Sequence, residues 1–152
     1  MEYGTIEREI YIDAAPEVVF DVVSTPEHLA QWWPDTARYE PVPGSVGEIT
    51  FGDGDAGKVV PFTVVDAVPP RTFSFRWAHP ADQPATDSNS LLVTFDLRPS
   101  GAGTLLAFRE TGFREQGWEI AVLEQQYRDH VTGWDHFLPR LAPYVATLQV
   151  RP

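Results

Sequence analysis

Between Glu7 and Asp13 apolar and polar side chains alternate, the period of a half-buried strand. Ala15-Pro16-Glu17 then carries a helix start, with proline at the first helical position and an acid at the positive end of the dipole; Val18, Val19, Phe20, Val22 and Val23 supply a buried side. Thr25-Pro26-Glu27 repeats the signal with Thr25 as the expected cap. The second short helix carries His28, Leu29, Trp32 and Trp33 and stops at Pro34. From about Arg38 to Phe113 the period is 2. Val46 to Phe51, Lys58 to Val68, Arg71 to His79, Leu91 to Arg98 and Thr104 to Phe113 read as strands, and short Gly-, Asp- and Pro-rich joins favour an antiparallel meander. The 80–89 segment is a longer polar loop, either a rim or a mobile tip. After Gly117 the period turns helical: Ile120, Leu123, Tyr127, Val131, Trp134, Leu138 and Leu141 form one stripe, Arg128, Asp129 and His136 lie off it, and Pro139 predicts a kink or restart. The pattern predicts an α+β fold in which a curved antiparallel sheet wraps a long C-terminal helix, with two short helices after the first strand.

Strand parity then says which side chains share a face. Phe73, Phe75 and Trp77 point one way, as do Val93, Phe95 and Leu97, and as do Thr104, Leu106, Phe108 and Glu110. Facing the helix stripe, these make an aromatic interior to which Phe51, Phe62, Tyr127 and Trp134 also belong. Two readings stay open: the rings pack as a core, or stiff rings inside a curled sheet leave a pocket. Glu110 is the anomaly. A carboxylate on an apolar face is costly unless paired, so it either meets an arginine such as Arg76, reaches an exposed strand end, or serves as a polar anchor or acid–base group in a pocket. His130 sits at the edge of the helix stripe and reads as a packing residue, whereas Arg76 and Asp96 have outward parity.

Composition removes several classes. With 11 basic and 22 acidic residues the net charge is −11, so neither nucleic acid nor an anionic membrane surface is an expected partner. The chain has no cysteine, which removes disulfides, thiol catalysis and thiolate metal sites. His130 and His136 fall on different helix faces, and Asp53 and Asp55 resemble a calcium loop in composition alone, so no metal and no cofactor is expected. Phosphate-loop, dinucleotide and nucleophile-elbow motifs are missing too. No apolar run reaches membrane-spanning length, the first residues do not read as a secretory signal, and 152 residues suit one domain, 1–152, in the cytoplasm.

Taken in order, the segments resemble a known family. Ala14-Ala15-Pro16-Glu17-Val18-Val19-Phe20 and Thr25-Pro26-Glu27 through Trp32-Trp33 are similar to the opening helices of the START-like, helix-grip superfamily called SRPBCC, in the branch named for the C-terminal domain of the activator of the heat-shock protein 90 ATPase. The run from Val65 to Trp77, the pair formed by Leu92–Leu97 and Gly103–Phe113, and Gly133-Trp134 with Leu138, Leu141 and Tyr144 resemble its hairpins and last helix. The resemblance implies a hydrophobic cavity between sheet and C-terminal helix, and carries over no catalytic set.

The resulting expectation is a binding protein for a small hydrophobic or aromatic ligand. Trp33, Phe51, Phe75, Trp77, Phe95, Phe108 and Trp134 would line the cavity, and Glu110 and Tyr127 would be its polar anchors. An anionic ligand is not expected, because no cation is predicted inside. Two alternatives are a cyclase- or hydrolase-like enzyme with Glu110 as general base, and a co-chaperone-like interaction module using the acidic surface to meet a basic partner; a protein partner or a homodimer stays open.

Overall fold

A computed structural model describes residues 3–52 and 57–148 of the chain. The Asp53–Asp55 turn and its calcium-like composition therefore lie outside the described residues. The elements follow in the order β1 (Thr5–Ile12), α1 (Pro16–Ser24), α2 (Pro26–Trp32), β2 (Thr36–Arg38), β3 (Val46–Phe51), β4 (Lys58–Val68), β5 (Thr72–Trp77), β6 (Leu91–Ser100), β7 (Gly103–Thr111), α3 (Ile120–Phe137) and α4 (Leu141–Leu148). Short 3₁₀ turns at Arg114–Gln116 and Leu138–Arg140 flank α3. The second of these holds Pro139, so the predicted interruption is a one-turn restart between α3 and α4.

All strands join one antiparallel sheet in the order β1-β7-β6-β5-β4-β3-β2, curved around the C-terminal helix. The meander read from the short joins is present, and the first strand closes against the last. β2 was not legible: three residues are too few to show a period, and it forms by pairing with β3, Thr36 opposite Thr50 and Arg38 opposite Glu48. Thr25 occupies the cap position of α2, but its hydroxyl makes no capping bond.

Register carries the parity argument across the sheet. Ile6, Glu110, Val93 and Phe75 stand opposite one another on β1, β7, β6 and β5, so one inward row runs from edge to interior with a carboxyl in the middle. Arg8, Phe108, Phe95 and Phe73 form the next row. α1 packs on β5 and β6, and α4 on β1, α1 and α2. The helix stripe engages from Leu123 onward: Leu123, Trp134, Leu138 and Leu141 are buried, whereas Ile120, the first helical residue, is 67% exposed. Arg128, Asp129 and His136 are exposed as expected. Gly112 ends β7 at φ +106°, with the Ser90 carbonyl 3.2 Å from where a Cβ would stand, so the turn out of the sheet there favours glycine.

Arg76 points outward and donates to the Thr86 carbonyl at 3.3 Å. Asp96 also faces out, accepting from Thr72 at 3.0 Å and lying 3.8 Å from Arg109. The 80–89 loop does not line the cavity, and hydrogen bonds tie it to its surroundings. Gln116 donates to the carbonyls of Asp87, Ser90 and Gly112, and Asn89 is bonded to both Thr86 and Pro84.

Candidate functional site

Trp33 is the C-cap of α2, and Pro34 behind it stops the helix, so the ring projects from a fixed corner into the curl of the sheet. Its centroid lies 4.8 Å from Trp134, 5.0 Å from Trp77, 5.6 Å from Phe75 and 5.8 Å from Phe51, which makes it the hub of the interior. The pairs with Trp77 and Phe51 are edge-to-face and those with Trp134 and Phe75 tilted; aromatic pairs contribute about 0.5–1.5 kcal/mol each beyond area burial. Phe75, Phe95 and Phe108 are fully buried around this hub and form packed core.

Against this wall the rings leave a cavity of about 550 Å³ between β3, β4, the end of β5 and helix α3. Trp33, Phe51, Trp77, Trp134 and Phe137 give it aromatic walls, with Val59, Val60, Pro61 and Ala78 beside them. Both readings of the aromatic interior are thus partly realised: the deep rings pack and the outer ones bound open space. The helix contributes Gln126, Asp129, His130, Gly133, Trp134 and Phe137, spaced as one face of a helix. Gly133 has open space where a Cβ would be, so its missing side chain is part of the cavity.

Glu110 is 0% exposed and meets no arginine among the described residues. Trp77 Nε1 donates to Oε2 at 2.8 Å, Trp134 Nε1 to Oε1 at 2.7 Å, and His130 Nδ1 lies 2.9 Å from Oε1. An indole nitrogen can only donate, so both oxygens act as acceptors and the burial cost is offset by bonds of about 1.5–3 kcal/mol each if charged. The expected arginine partner is replaced because the inward row offers none, while two indoles and an imidazole reach the carboxyl from β5 and α3. Glu110 lies behind the cavity wall; the group in front of it is His130, whose side chain is 17% exposed. The imidazole is held between Trp77 and Phe113 at centroid distances of 5.4 and 5.3 Å. Its Nε2 has no hydrogen-bond partner among the described residues and is not sealed from solvent.

Tyr127 is placed elsewhere. Its hydroxyl donates to the Thr5 carbonyl at 2.9 Å and its ring packs on Tyr3 and Phe113, so it ties α3 to β1 and does not line the cavity. Sequence reasoning missed Lys58, Gln126, Gly133 and Phe137. Lys58, the chain's sole lysine, lines the cavity at the start of β4, so the expectation of a site without a cation is corrected. Among the described residues no group of three metal-ligating side chains converges, and no helix is long and apolar enough to cross a membrane.

A curved antiparallel sheet gripping a C-terminal helix, with an aromatic cavity between them, defines the helix-grip class. Within it, the chain belongs to the family described as Activator of Hsp90 ATPase homolog 1-like protein, which matches residues 13–146. Among solved structures it is similar to a protein from Mesorhizobium loti, with 25% identity over 96% of this chain and 99% of that one and a TM-score of 0.75. It is also similar to the Aha1 dimer from Colwellia psychrerythraea, with 22% identity, 93% and 95% coverage and a TM-score of 0.69. DynU16, from the dynemicin biosynthetic locus, has 21% identity over 95% of this chain and 48% of its own, at a TM-score of 0.69. No curated protein matches by sequence.

Proposed function

We propose that the protein binds a small, largely apolar aromatic molecule in the cavity between sheet and α3. The observation that carries this reading is the cavity itself: about 550 Å³ walled by Trp33, Phe51, Trp77, Trp134 and Phe137. Ligand pockets typically span about 300–1,000 Å³ and are mostly apolar with a few placed polar groups. Flat rings stack on such walls at little entropic cost, because the indoles are already held by their neighbours and by Glu110. Lys58 at the lining adds a place for an anionic substituent.

Glu110 as a general base acting directly on a ligand is less well supported than binding. Both its oxygens already accept from protein donors, and His130 stands between it and the cavity.

Gly133→Leu tests the reading by placing a side chain in the open space. Quenching of tryptophan emission by 2-methoxynaphthalene should saturate in the wild-type protein and vanish in G133L, whose melting temperature should be no lower than that of wild type. Equal saturable quenching in both proteins would place binding outside the cavity and sink the proposal.

A further inference from the structure

We infer that the ligand carries an acidic hydroxyl, phenolic or enolic, on its aromatic ring system, and that His130 Nε2 receives it. This rests on the cavity reading and specifies what the cavity selects.

A purely hydrocarbon pocket would not need His130 where it stands. Its Nδ1 is committed to Glu110 Oε1 at 2.9 Å, and that oxygen is itself fixed by Trp134 at 2.7 Å. The rings of Trp77 and Phe113 pack against the imidazole at centroid distances of 5.4 and 5.3 Å. One nitrogen is therefore tied down; the other has no protein partner among the described residues and belongs to a side chain that lines the cavity. An oriented, unpaired polar atom in an otherwise aromatic wall is a specificity element, since a ligand without a matching group leaves it unsatisfied.

The Glu110–His130 pair also says which group matches. In the neutral arrangement Nδ1–H donates to the carboxylate and Nε2 presents a lone pair to a ligand O–H. If the proton crosses, the ligand O–H bond breaks and an Nε2–H bond forms. The ligand is then an oxyanion beside an imidazolium, and that imidazolium is stabilised by a buried carboxylate that keeps its own charge. This is the logic by which a buried acid supports a histidine in a catalytic triad. In both arrangements one proton is shared between Nε2 and the ligand oxygen, and a hydroxyl acidic enough to share it gains the most. An aliphatic alcohol lacks the ring for the walls, and an aryl ether lacks the proton.

The test is calorimetric titration of the intact protein with 2-naphthol and with 2-methoxynaphthalene, which differ in the one proton at issue. Wild type should bind 2-naphthol about tenfold more tightly, the difference expected of one well-made hydrogen bond. In His130→Phe the preference should disappear, read as the ratio of the two affinities within that variant. Equal affinities in the wild type, a comparison that needs no variant to fold, would overturn the inference and leave the cavity reading standing. A preference that persists in H130F would overturn it as well. Binding of neither compound would overturn both.

Discussion

Trp77 and Trp134 donate their indole N–H groups to the two oxygens of one buried carboxyl, Trp77 to Oε2 of Glu110 at 2.8 Å and Trp134 to Oε1 at 2.7 Å. One indole comes from the end of strand β5 and the other from helix α3, so the carboxyl pins the sheet to the helix it wraps. A carboxyl is the side chain that offers an acceptor to both at once. Glu110→Gln keeps the shape but replaces one oxygen by a donor, leaving an indole N–H facing an N–H. Urea unfolding should show E110Q less stable by about 1–3 kcal/mol, the cost of an unsatisfied buried polar group. Equal midpoints for wild type and variant would mean that these bonds do not hold the helix to the sheet.

Gly133 lies inside α3, where glycine is the weakest helix former apart from proline, and nothing stands within 4 Å of its missing Cβ. Its presence is a stability cost accepted to keep space beside the aromatic walls. Gly133→Ala should therefore raise stability by about 0.5–1 kcal/mol, read as a higher denaturation midpoint. A lower midpoint would show that the space is not free.

Arg8 and Asp135 tie the edge strand β1 to α3 next to Trp134, with Arg8 Nε 2.9 Å from Asp135 Oδ1. The bond to Arg8 lowers the Asp135 carboxyl below its ordinary value of 3.8, opposed by a smaller effect of burial, and the same bond raises the Arg8 guanidinium. A lowered carboxyl contributes stability that is present above pH 3.8 and is lost as pH falls through the folded value. The side chains are 36% and 52% exposed, so solvent screens the pair and the contribution is at most about 1 kcal/mol. Asp135→Asn should cost that much at neutral pH, and the gap to wild type should close on acidification below pH 3.8. A gap that stays constant from neutral to acid would exclude the ion pair as its source.

Much of the fold is legible along the chain because side-chain direction is a local property. Parity on β7 puts Thr104, Leu106, Phe108 and Glu110 on one face, and all of them are buried. The helical period marks Leu123 and Trp134 of α3, and Leu138 just after it, as buried in the same way. A second helical face, Gln126, His130, Gly133 and Phe137, has equally regular spacing, but its mixture of amide, imidazole, glycine and phenyl does not register as apolar. The cavity wall on the helix was therefore invisible to a hydrophobicity pattern. A solitary lysine among the basic residues was the available signal for Lys58.

The sequence by itself determined the order of elements apart from the short strand β2, the antiparallel meander, the inward Glu110 and the aromatic character of the interior. Those follow from periods of 2 and 3.6 and from proline and glycine chemistry, which act within a few residues. Tertiary structure alone decided who meets Glu110. Its partners Trp77, Trp134 and His130 stand 33, 24 and 20 residues away, and only the curl of the sheet and the rotation of α3 bring them together. It likewise decided that Phe75, Phe95 and Phe108 fill the core while Trp33, Phe51, Trp77 and Trp134 border open space. Alternation says that a side chain points inward; what it finds there depends on how far the facing element stands off, a distance that no local pattern encodes.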